Sequence, residues 1–197
     1  MKSLRRRLAG AIALAALGIS GSALSQQPAD CSAGPIPDQA LELTIGSEKI
    51  PSLAWISVRK ISEMRLDDDV YEQYEVTAQD KEMFANFEAG FSVIVPKGAR
   101  PDGKTFRRLP TSKTDAQPGP EGLPEVQSWT VKHKARDLRA SHVGFIASLR
   151  AEFGQRRGDV LPGRVYLCVP GGQTERMFGT KLPDPITFVG RFEAKTR

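Results

Sequence analysis

Three groups of residues have types and spacings that could do chemistry. Gly98, Gly103, Lys104 and Thr105 satisfy the pattern G-x-x-x-x-G-K-[ST] of a phosphate-cradling loop, directly after the apolar run Phe91–Val95. Such a loop works because a helix opens at its Lys-Thr pair, so that backbone N–H groups and the positive helix end face the phosphates. Here Phe106-Arg107-Arg108-Leu109-Pro110 follows, and Pro110 would break a helix within its second turn. The match is therefore read as chance, and no nucleotide or other cofactor is expected.

His133 and His142 are the only histidines, nine residues apart, with Asp137 between them. A two-histidine, one-carboxylate metal site would need this trio or a distant acid, and the spacing fits no zinc motif. Partly buried or surface histidines are the plainer reading, and no metal is expected. Asp67-Asp68-Asp69 offers hard oxygen ligands but lacks the alternating D-x-D-x-D-G order of a calcium loop, so it reads as a solvated turn. After residue 25 no G-x-S-x-G nucleophile elbow occurs. No catalytic residue is assigned. Cys31 and Cys168, the only cysteines, are expected to pair, closing a loop of 168 − 31 = 137 residues; two buried thiols are the alternative.

The third group is basic. Lys97, Arg100, Lys104, Arg107, Arg108 and Lys113 crowd one segment. Lys132, Lys134, Arg136 and Arg139 follow Trp129, and Arg150, Arg156 and Arg157 surround a predicted turn. Guanidinium and ammonium groups that converge would suit phosphate or carboxylate. Arg100, Lys104, Arg107 and Arg108 are the candidate partner-binding residues; an ordinary charged surface is the alternative. Aromatic residues are interleaved only at Phe106 and Trp129, which argues against nucleic acid.

The elements that must hold these groups read mostly as strands. Leu41, Leu43 and Ile45 alternate with polar residues, and Gly46-Ser47 marks a turn. Residues 52–61 form a second strand and Val70 to Val76 a third. Residues 77–89 carry the one helical signal: Thr77 and Asp80 have capping-box spacing, and Met83, Phe84 and Phe87 share a helical face. Phe91–Val95, Val126–His133, Val165–Val169 and Ile186–Ala194 read as strands. Residues 141–153 fit either period, and the turn signal in Gly154 to Asp159 favours strand. Residues 97–125, with five prolines and four glycines, read as one long basic loop.

The chain of 197 residues is 40% hydrophobic, enough for a core, and two cysteines exclude a disulfide-dense mini-protein. Lys2, Arg5, Arg6 and Arg7 precede the apolar run Leu8–Leu17, and Ala23-Leu24-Ser25 places small residues before Gln26. This is the pattern of a secretory signal peptide over residues 1–25. Without it the net charge of +5 becomes 24 − 23 = +1, so a general attraction to nucleic acid is not expected. What remains is polarised: residues 26–95 hold 5 bases and 13 acids, residues 96–197 hold 19 and 10. Halves that neutralise each other are one reading, and an acidic and a basic face the other. Seventeen arginines against eleven lysines, with one asparagine, suit a GC-rich bacterial source.

The sequence thus predicts a single all-β domain over 26–197. The expected architecture is an antiparallel β-sandwich, immunoglobulin-like in general outline, with one short accessory helix. It predicts a periplasmic or secreted protein, with no transmembrane span after cleavage. The functional expectation is a non-catalytic binding or accessory module for an anionic or protein partner of the envelope. A periplasmic hydrolase with a site assembled from scattered polar residues is the alternative, and a subunit that pairs with like copies through strand edges a third.

Overall fold

The computed structural model describes residues 31, 35–66, 68–108, 126–133, 138–141, 147–174, 181–182 and 184–197. The expected signal peptide, residues 109–125 of the long loop, and His142 lie outside the described residues. The described chain is all strand: β1 (Glu42–Ile45), β2 (Glu48–Lys49), β3 (Trp55–Leu66), β4 (Asp69–Gln79), β5 (Phe87–Pro96), β6 (Thr105–Arg108), β7 (Val126–His133), β8 (Leu138–Ser141), β9 (Ser148–Phe153), β10 (Val160–Val169), β11 (Gln173–Thr174), β12 (Lys181–Leu182) and β13 (Ile186–Thr196).

One sheet runs in the order β6-β9-β10-β13-β3-β4-β5-β7-β8, with β1 also on β13 and β2 on β1; β11 and β12 form a separate ladder. Among the described residues every pairing of strands is antiparallel except a short parallel contact of β13 with β3, Lys195 opposite Ser57 and Thr196 opposite Val58; outside the strands Ala40 makes an isolated parallel bridge with Arg191. The sheet folds over on itself. Phe91 of β5 lies 6.2 Å from Phe153 of β9 and 6.4 Å from Phe192 of β13, ring centre to ring centre. Phe106 and Phe153 meet edge-to-face at 5.7 Å, closing an aromatic cluster between the two layers. The fold is therefore sandwich-like, as the alternating patterns require: each strand must bury one face, and the facing layer supplies the cover.

Period-two alternation decides which side chains reach the core. Val165, Leu167 and Val169 of β10 are buried there together with Leu149 and Ala151 of β9 and Phe188 and Phe192 of β13. Arg164, Tyr166 and Cys168 occupy the opposite face. Cys168 is buried nonetheless, because Cys31 is bonded to it, S–S 2.05 Å. The Ser148 hydroxyl donates to the Cys31 carbonyl, so Cys31, in the segment ahead of β1 that we call the leader, is seated on the outer face of β9 and β10. Further along, the Arg191 N–H donates to the Gln39 carbonyl at 2.8 Å. Gly190 lets the leader through: its φ is +128°, and a Cβ there would run into the Ala40 carbonyl.

Two expectations are corrected. Residues 77–89 contain no helix. Thr77–Gln79 complete β4, residues 80–86 are a turn, and Phe87–Ala89 open β5. Asp80 does act on backbone N–H groups, but on those of Asn86 (2.9 Å) and Phe87 (3.1 Å), across the turn rather than at a helix start. The ladder from Tyr71 opposite Pro96 to Gln79 opposite Glu88 outweighs the local helical signal. Second, the loop proposed over 97–125 is interrupted: Thr105–Arg108 is a strand on β9. The favoured strand reading of 141–153 holds for 148–153; residues 142–146 lie outside the described set.

Candidate anion-binding face

The pairing of β6 with β9 brings together two basic clusters that lie about 45 residues apart in sequence. Arg107 stands opposite Arg150, and Arg150 in turn opposite Tyr166 of β10. In the next row Thr105 is opposite Glu152, Glu152 opposite Arg164, and Arg164 opposite Arg191 of β13. All these positions point away from the core. Two adjacent rows therefore carry four arginines around a single carboxylate, Glu152. That carboxylate accepts from both neighbours, Arg150 Nη2 at 2.7 Å and Arg164 Nε at 2.6 Å. Arg191 Nε meets Asp38 of the leader at 3.2 Å.

Directly opposed side chains on antiparallel strands have Cβ atoms about 5 Å apart, and like charges in that position repel. Arg107 opposite Arg150 is such a pair, on a solvent-facing surface. Glu152 lies between Arg150 and Arg164 and pairs with both. The planar forks of guanidinium groups gathered on one face suit bidentate contact with phosphate or carboxylate.

The other predicted residues fall elsewhere. Lys104 is exposed immediately before β6, where its carbonyl accepts the Phe153 N–H at 2.9 Å. Arg100 is exposed in the turn before it, where its charge acts on Asp102 and Tyr74. The side chain of Arg108 is outside the described set. Arg164 and Arg191 were not singled out from the sequence. The available signal was their position, opposite in parity to Val165 and Phe192 on core strands.

The phosphate-loop match is a turn that runs into a strand. Gly98 and Gly103 have φ of +81° and +70°, and Thr105 begins β6 instead of a helix. Asp102 of this segment is clasped by Arg156, Nε to Oδ2 2.9 Å and Nη2 to Oδ1 3.1 Å. The Arg156 hydrogen bonds hold the Asp102 carboxyl below the usual carboxylate range. Nearby on the sheet, Lys60 donates to Glu63 (2.5 Å) and to Glu72 (2.8 Å), and the Tyr74 hydroxyl donates to Glu72 at 3.1 Å. Lys60 lowers the pKa of both carboxylates, and they raise its own. Tyr74 is raised, by burial first and Glu72 second. Each charge in this cluster already meets an opposite one, so it reads as a brace for the extended β3–β4 hairpin.

His133 is buried in β7 against Phe87, 5.0 Å ring to ring, with Nε2 3.3 Å from Glu48. That is a packed core histidine with one carboxylate beside it. Among the described residues no three His, Cys, Asp or Glu side chains converge to hold a metal ion. No family model, curated protein or solved structure matches this chain.

Proposed function

We propose that this chain is a non-catalytic binding module of the bacterial envelope, periplasmic or secreted. Its arginine face would engage phosphate or carboxylate groups of an envelope partner. The observation that carries the reading is the opposition of Arg107 and Arg150 across β6 and β9, one strand away from Arg164. Register gathers these guanidinium groups on one outward face, and such a positive surface suits an anionic partner. The Cys31–Cys168 bond suits an oxidising compartment, and among the described residues no helix is long and apolar enough to cross a membrane.

The test is capture from a detergent-solubilised envelope on the immobilised, oxidised protein, beside the variant Arg107→Gln/Arg150→Gln/Arg164→Gln. An anionic partner is retained by the parent protein at low salt and lost from the variant. It is also released as salt shortens the Debye length toward about 8 Å and below. Equal retention by both proteins rejects the arginine face as the binding surface.

A further inference from the structure

We propose that the turn between β4 and β5 is a membrane-contacting tip, with Met83 and Phe84 entering the interfacial region of a phospholipid bilayer. Phe84 is 89% exposed and Met83 70%, the two most exposed large apolar side chains among the described residues. Phe84 is also the only described non-glycine residue with positive φ, +55°. A bulky side chain in the left-handed region is unfavourable, and here no burial compensates it.

The turn is nevertheless firmly built. The Asp80 carboxylate accepts the N–H groups of Asn86 and Phe87, and the Asn86 side chain reaches it at 3.4 Å. Behind the tip Ala85 is buried, and Lys132 of the neighbouring β7 donates to its carbonyl at 3.2 Å. The scaffold thus holds two apolar side chains in water in place of folding them inward. Trp55, 41% exposed, starts β3 directly opposite Gln79, at the foot of the same turn.

Area and charge select the occupant. Met83 and Phe84 together offer about 300 Å², whereas a stable protein interface takes about 800 Å² from each partner. A bilayer interface needs no matching surface, accepts isolated side chains, and favours an aromatic ring such as Trp55 at headgroup depth. Lys81 is exposed beside the tip, while Glu82 meets Arg197 at 3.7 Å, which leaves the lysine to face anionic headgroups.

Partition is measured by co-sedimentation of the full chain with vesicles of equal parts phosphatidylglycerol and phosphatidylcholine. High salt screens the arginine face, so that failure of the two proposals can be told apart. Met83→Ser/Phe84→Ser should weaken partition by about tenfold or more. Phe84→Gly should weaken it too while leaving the fold intact. Phe84→Trp should show quenching by brominated lipid. Equal partition of parent and double variant overturns the proposal, as does absence of partition by the parent. So does a tip that binds an envelope protein while Trp at position 84 stays unquenched.

Discussion

Replacing both cysteines by alanine tests how the leader and the sheet depend on each other. The Cys31–Cys168 bond closes 137 residues, almost the whole described fold. In the chain-entropy treatment such a loop stabilises the native state by about 5 kcal/mol at 25 °C, as an upper bound. Small domains have total stabilities of about 5–15 kcal/mol, so the loss would be a large fraction of the whole. The sheet itself should survive, since the bond ties down the leader and pairs no strand. The leader also keeps other anchors: the buried Ile36 and the Arg191 N–H bond to Gln39. In urea, with a denaturant slope of about 2 kcal/mol/M, the unfolding midpoint of Cys31→Ala/Cys168→Ala should fall by about 2 M. Reduction of the parent protein should reproduce that shift. A fall corresponding to less than about 1 kcal/mol would refute the loop-closure reasoning. It would mean that the unfolded chain is already restricted without the bond.

Asp102→Asn removes the carboxylate clasped by Arg156. The native Asp102 pKa is depressed, so its contribution is complete above the ordinary aspartate value of about 3.9 and disappears as pH falls toward the native pKa. The parent should therefore exceed the variant by about 1 kcal/mol at neutral pH, with the two stabilities converging in acid; a constant gap down to the lowest pH would contradict this. Phe84→Gly should raise stability by about 0.5–1 kcal/mol in chemical denaturation, relief of the left-handed backbone outweighing the extra freedom of the unfolded chain. Gly190→Ala should destabilise by about 3 kcal/mol, because φ of +128° suits no side chain and the new Cβ meets the leader backbone; an unchanged melting temperature would exclude that packing.

Much of the fold follows from local pattern. Leu43 and Ile45, or Val165 and Leu167, alternate with polar residues, and a strand with such alternation has one face to bury wherever it ends up. Exclusion of the phosphate loop was also local, since Pro110 forbids the helix that chemistry needs. Pairing of Cys31 with Cys168 required only that they be the two cysteines of an oxidised chain.

Other features depend on partners remote in sequence. The spacing of Met83, Phe84 and Phe87 suits a helix, yet residues on either side of the turn gain a continuous ladder between β4 and β5, which no window around residue 80 contains. Arg107 and Arg150 become neighbours only because β6 pairs with β9, and Arg164 and Arg191 join them through β10 and β13. Composition and alternation determined that the chain would fold as strands and, for strands such as β1, which face turns inward. Register between distant strands decided where the charges meet, because hydrogen-bonded pairing is set by the burial of whole layers and carries the outward-facing arginines with it.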